Sequence, residues 1–347
     1  MHIVRVTKRT TLAHTILATE LDSGIPVSHG EFNTIDDIIQ TAGTFLPNST
    51  RNTQKKAFES LSAIADALSF HGISPANQET LHESIVSTHL DCHGHTVMYK
   101  SIAQFWELPI EIIDVPNHTI VYWQLPKNKR FYWDPVIHGF DKRTNEDVLK
   151  LEWSVSQEDI EKRLFLRPLE LNEVLSYAHM RIGNYWNKQK EPNHATQHYK
   201  NALEFNEDNF IAHKNYALLL LQNKAFQKAL AAISMSANIR PTAHTYLTQG
   251  HILDTMGNIK DAYACCKNAC ETDQNNFAAY DVAACIARKM GLYEESLQHF
   301  EHLTHINPHD PTGYRGMASV LQKQGKEKQA HHFRKRALLL SKQVKQA

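Results

Sequence analysis

The sequence lacks an excess of charge of either sign, an apolar run long enough to cross a bilayer, and any regular spacing of its cysteines. Each lack removes a class of function. Lys plus Arg and Asp plus Glu both number 37 in a chain of 347 residues, so there is no whole-chain positive field to draw in nucleic acid or an anionic membrane. The basic start, MHIVRVTKRTTLAHTILATELDSG, holds no uninterrupted apolar stretch of signal-peptide length. With no spanning run elsewhere, the expectation is a soluble chain without a membrane span. Five cysteines, an odd count, argue against a disulfide framework and for reduced thiols in the cytoplasm. A bacterial protein injected into another cell would carry the same signature. No cofactor is expected, and no metal. What remains, 42% apolar and 21% charged residues, is an ordinary globular composition long enough for two domains.

What is present in abundance is periodicity. Gly183, Ala217, Gly250, Ala284 and Ala318 form one series of small residues, and Ala195, Ala229, Ala262, Ser296 and Ala330 form a second, each with steps of 34, 33, 34 and 34. Gly257, Gly291 and Gly325 form a third, stepping by 34 twice, at positions that suit a turn between paired helices. A period near 34 with helix-turn-helix grammar resembles the tetratricopeptide repeat, and the resemblance covers residues 176–344, about five repeats. The first series is expected to let the first helix of a repeat approach its second, and the second series to let that helix meet the next repeat. Pro241 and Pro308 fall where a helix must stop.

Such an array implies a concave groove lined by the first helices, with a protein or peptide as its ligand. Lys214, Leu218, Leu221, Leu247, His251, Asp254, Asp281, Arg288, Arg315 and Gln322 are placed there. The family's chaperone-binding members clamp a terminal carboxylate with Lys and Asn; Leu218 stands at the Asn position, which disfavours that ligand. Cys265, Cys266 and Cys270 on one helix, and Cys285 on the next, read as small packing residues, since no ligand spacing of a zinc module is present. Leu338, Leu339 and Leu340 lie in the last helix, and a second copy, by self-association through that end, or a partner is expected to cover them.

The other half is denser in chemistry. Two helices are expected within residues 33–71, carrying Ile35, Ile38 and Ile39 in one and Phe58, Leu61, Ile64 and Leu68 in the other. Residues 87–135 then read as helix, strand, turn, strand, turn, strand. Met98, Ile102, Ala103 and Trp106 give a helical apolar face, and Ile110, Ile112, Ile113 and Val115 a buried strand. A second strand runs over 118–125 and a third begins at 131. Cys92 stands at the helix start, His118 at a strand start and Asp134 at the end of its hairpin partner. A hairpin turning around Pro126 directly opposes His118 to Asp134. A helix N-terminus and a nearby imidazole both favour a thiolate, and an acid behind the imidazole orients it.

Here the sequence resembles the transglutaminase-like superfamily, relatives of papain. The likeness is carried by DC at 91–92, IA at 102–103, LPI at 108–110, PNH at 116–118 and WDP at 133–135. The 26 residues between Cys92 and His118 match compact bacterial members, and it looks most like bacterial proteins that join this core to tetratricopeptide repeats. The resemblance implies Cys92 as nucleophile, His118 as general base, Asp134 as orienting acid and the Cys92 backbone N–H as one oxyanion donor.

Several readings compete with it. Cys92, His93, His95 and His118 could be ligands of a metal, but His93 and His95 point to different faces of a helix, and the 22 histidines are spread along the whole chain. Trp123 and Trp133 are candidates to flank a substrate cleft, against cross-strand packing as the plainer use. His138 is placed in a surface loop. The expected whole is an α+β transglutaminase-like or papain-like domain over 1–168, then an all-α repeat superhelix over 176–344. Its expected activity is that of a thiol-dependent hydrolase or acyltransferase (protease, deamidase or transglutaminase type) acting on protein amide bonds, the repeats recruiting substrate. The alternative is a catalytically degenerate protein-binding scaffold.

Overall fold

The computed structural model describes residues 10–78, 80–137, 150 and 153–344, and His138 lies outside them. The chain divides into two compact units, Met1–Glu207 and Asp208–Ala347.

The first unit packs helices on one face of a small antiparallel sheet. α1 (Leu12–Asp22), α2 (His29–Phe45), α3 (Gln54–Phe70) and α4 (Leu81–Ser87) surround α5 (Cys92–Trp106), with a short parallel pair, β1 (Ser74–Pro75) and β2 (His89–Leu90), leading into it. α1, α4 and the parallel pair had no expected counterpart. Ile35, Ile38, Ile39, Leu61, Ile64 and Leu68 are fully buried, as the helical spacing required. Phe58 is the exception: at 48% exposed it meets Trp133 only edge-on.

After α5 come β3 (Ile110–Val115), β4 (His118–Gln124) and β5 (Arg130–Trp133), paired in that order. β3 and β4 turn across Pro116 and Asn117, with Asn117 in the left-handed region at φ 61. β4 pairs with β5 in the register Val121 to Trp133 and Tyr122 to Tyr132. This corrects the expected direct opposition of His118 and Asp134. Asp134 instead falls past the strand end, level with Ile120. The shift is of two residues, and because side chains alternate with period 2, both residues stay on one face.

The burial of Trp123 (1% exposed) and Trp133 (2%) corrects their placement beside a substrate cleft. They face inward: Trp123 Nε1 donates to Asn52 Oδ1 at 2.7 Å, and Trp133 Nε1 to the Tyr99 hydroxyl of α5 at 3.1 Å. An indole on the inner face of a sheet is core material once its N–H has a partner.

A short α6 (Gln157–Glu161) follows, then α7 (Leu171–Lys188) and α8 (Pro192–Phe205), which complete the first unit. A Cβ at Gly183 of α7 would stand 2.8 Å from the Tyr199 ring of α8, so the glycine permits the close crossing. Ser176 Oγ donates to the Ala202 carbonyl at 2.7 Å.

The second unit is four further helix pairs: α9 (Phe210–Gln222) with α10 (Phe226–Ile239), α11 (Ala243–Thr255) with α12 (Ile259–Thr272), α13 (Phe277–Lys289) with α14 (Tyr293–Ile306), and α15 (Pro311–Lys323) with α16 (Glu327–Val344). Gly257, Gly291 and Gly325 make the turns inside three of the pairs, at φ 84, 79 and 73, where a side chain would be strained. Ala229, Ala262, Ser296 and Ala330 are fully buried. They meet the first series within their own pair rather than the next repeat: Ser296 Oγ donates to the Ala284 carbonyl at 2.7 Å, and a Cβ at Gly250 would lie 3.2 Å from the Ala262 carbonyl. The approach between repeats uses other glycines. A Cβ at Gly316 of α15 would fall 2.2 Å from the ring of Phe300 on α14. Of the leucines in α16, Leu340 is buried, while Leu338 and Leu339 are 58% and 49% exposed.

Gly316→Ala therefore tests the packing between repeats. Phe300 is 2% exposed and has no room to retreat. Urea unfolding is expected to show a loss of about 1–3 kcal/mol from overpacking; a change near zero would mean that the ring moves aside freely.

Candidate functional site

Asp91 starts α5 by capping it: its Oδ1 accepts from the Gly94 N–H at 2.8 Å. Cys92 is thus the first residue of the helix, where the unpaired N–H groups and the helix dipole favour an anion. β4 begins with His118, and its Nε2 lies 2.9 Å from Asp134 Oδ2. The other carboxylate oxygen accepts from the Val136 N–H at 2.9 Å, which fixes the acid against rotation. The Cys92 thiol lies near enough to the His118 side chain and the Thr119 backbone N–H for both to favour its thiolate. With Nε2 taken by Asp134, Nδ1 is the ring nitrogen left for the sulfur. The structure therefore brings Cys92, His118 and Asp134 into one relay.

The electrostatics follow from these contacts. Burial pushes the Cys92 thiol up and the Asp91 charge adds to that, but the neighbouring His118 side chain and its charge and the Thr119 N–H outweigh both, leaving it below its ordinary value. Burial alone would push His118 down; Asp134 and Cys92 raise it instead to about 10. The same forces are missing elsewhere. Burial drives Cys266 to about 12 and Cys270 to about 11, and raises Cys265 and Cys285. Cys92 is the one cysteine of the five whose thiolate is favoured. It is half-buried, and His118 keeps 19% of its side chain exposed, so the relay is not sealed in the core.

Trp153 stacks on His118 with ring centroids 5.9 Å apart at 19°. Nothing in the spacing pointed to it, because it lies outside the helix-strand pattern that located the other three. His93 and His95 are both buried in α5, and among the described residues no three His, Cys, Asp or Glu side chains converge as metal ligands would.

In the second unit, the first helices of consecutive pairs are bridged by polar contacts. Lys289 Nζ lies 2.6 Å from Asp254 Oδ2, and Arg288 Nη1 donates to Ser319 Oγ at 2.7 Å. Lys214, Leu218 and Arg288 are half-buried and His251 and Arg315 exposed, so each keeps surface accessible. Burial lowers Lys214 from its ordinary value.

Comparison with known proteins speaks to the helical pairs. The family model described as Tetratricopeptide repeat matches residues 243–276, the stretch of α11 and α12. Among solved structures, a crystal structure of MamA is 16% identical with TM-score 0.45, covering 48% of this chain and 98% of its own. MamA from Desulfovibrio magneticus RS-1 is 12% identical with TM-score 0.44, covering 48% and 96%. YrrB, titled a TPR protein with an unusual peptide-binding site, is 15% identical with TM-score 0.42, covering 49% and 91%. No curated protein matches the chain. The chain thus contains tetratricopeptide repeats, while none of these matches supports a transglutaminase-like core.

The relay makes a prediction about pH. A thiol with a lowered pKa is reactive above that value, and the stability its thiolate contributes is complete above the ordinary thiol value and lost as pH falls through the lowered one; a raised imidazole holds its charge until pH rises through about 10. Asp134→Asn removes the charge that raises His118. The midpoint of iodoacetamide alkylation at Cys92 is then expected to move up by about one pH unit or more. An unmoved midpoint would mean that Asp134 does not act on the thiol through His118.

Proposed function

We propose that this protein is a polypeptide-binding repeat scaffold whose N-terminal unit carries a thiol centre for acyl transfer on protein amide bonds. The binding half rests on the repeats, an architecture that presents an extended face to a polypeptide. The chemical half rests on one observation: Cys92 at a helix start, its thiolate favoured by a neighbouring histidine that is itself held by a carboxylate. In this reading Cys92 Sγ forms a bond to the amide carbonyl carbon, and the His118 imidazolium gives its proton to the departing nitrogen. The resulting thioester is opened by water, which is hydrolysis or deamidation, or by an amine, which is transamidation. Asp134 holds the ring throughout.

A scaffold without chemistry is the competing reading, and it is the one the comparisons favour, since they reach only the repeats. The two part company at Cys92. Full-length protein treated with iodoacetamide at neutral pH is expected to be labelled at this residue, and Cys92→Ala to lose that labelling while keeping its helical signal. Equal labelling of both would remove the nucleophile and leave the scaffold.

Binding is tested separately. On a peptide array, the double charge reversal Lys214→Glu with Arg288→Glu is expected to weaken capture by roughly tenfold if the first helices hold the ligand. Unchanged capture would move the binding face elsewhere.

A further inference from the structure

α7 reaches the residues on either side of Cys92 from one of its own faces. Tyr177 and Arg181, four residues apart, share that face. Arg181 Nη1 lies 2.6 Å from Asp91 Oδ2, with only 17% and 11% of the two side chains exposed, and its guanidinium also donates to the Gln78 carbonyl. The Tyr177 ring packs on the His93 ring at 5.8 Å, and its hydroxyl donates to Asp114 Oδ2 at 2.6 Å. Asp114 sits opposite Thr119 in the β3 to β4 register, and Thr119 is the residue whose backbone N–H favours the thiolate.

We propose that Arg181 is a positioning residue for Cys92, acting through Asp91. The carboxylate of Asp91 does two things at once: Oδ1 fixes the first turn of α5, and Oδ2 is held by the guanidinium. Left without that partner it would be a nearly buried charge one residue from a thiolate, disfavouring both its own burial and the thiolate's charge. Arg181 thus lessens the opposition that an aspartate cap offers the thiolate. This inference rests on the thiol reading above and assigns the first helix of the repeat series a part in it.

A ligand site does not explain these contacts as well. The cavity lined by Asp91, His93, Gly94, Arg181 and Glu20 is about 20 Å³, the space of a single water. Among the described residues, the charged groups that act on the thiol are Asp91 from its own turn and His118 from β4, with Asp134 behind it. Around Asp91 and the cavity lie His93 of the same turn, Arg181 from α7 with Tyr177 packed on His93, and Glu20 from α1.

The test is the pH dependence of iodoacetamide alkylation at Cys92 in the full chain. In the wild type the midpoint is expected below the ordinary thiol range. Arg181→Gln should raise it by about half a pH unit or more, and Arg181→Lys should keep it near wild type. Asp91→Asn, which retains a good cap, should lower it, and adding Arg181→Gln to Asp91→Asn should produce no further shift. A purely structural contact would change the stability of these variants and not the midpoint. A low wild-type midpoint that Arg181→Gln leaves in place overturns the proposal alone. An ordinary wild-type midpoint defeats the thiol reading and this proposal with it. Should Arg181→Gln not fold, Asp91→Asn decides, and an unmoved midpoint there counts against the role.

Discussion

The N-terminal unit depends on one costly placement, a thiol half-buried at the start of a helix and pressed against the start of a strand. Burial disfavours the thiolate, and so does the aspartate that caps the same helix. The surroundings offset both. His118 and the Thr119 N–H come from the strand, Asp134 holds the imidazole from beyond β5, and Arg181 neutralises the cap from α7. The offsets come from β4, from the residue after β5 and from α7, so the sheet register, the hairpin turn at Asn117 and the docking of α7 all bear on one sulfur. The polar groups buried beside it follow the same rule. Asp114, raised to about 7 by burial, takes the hydroxyl of Tyr177.

The repeats answer to a different constraint, the distance between helix backbones. Where Gly250 and Ala284 face Ala262 and Ser296, the small residues bring one helix up to the backbone of its partner. The helices approach closely enough for Ser296 to bond a carbonyl across the gap. Aromatic rings fill the space that glycines leave open, Tyr199 beside Gly183 within a pair and Phe300 beside Gly316 between repeats. Cys266 and Cys270 are part of this economy of volume. Their thiols are raised by burial while Cys92 is lowered, so the same residue type serves packing in one unit and chemistry in the other.

Much of this was legible in the residues. A period of 34 is a long-range regularity that survives any local ambiguity, and it located the helix pairs and their turning glycines. Alternation and helical spacing located α5 and the three strands, because a chain that buries one face must repeat its apolar residues at the period of its backbone. The face shared by His118 and Asp134 was legible for the same reason. Their exact register was not: it was set by a turn of five residues, Leu125 to Lys129, one geometry among several that the sequence allowed. Trp123 and Trp133 were misplaced because an aromatic on a strand reads alike whether it faces a cleft or a core.

The sequence by itself determined the repeat pairs, α5 and the three antiparallel strands, and which residues head the last four, since local spacing, caps and turns act within a few residues along the chain. Only the tertiary structure decided what those residues meet. Arg181 reaches Asp91 across ninety positions and Trp153 stacks on His118 from beyond the sheet. Neither contact has a period or a motif. A side chain's electrostatic partner is chosen by distance in space, and that distance exists only once the helices have packed.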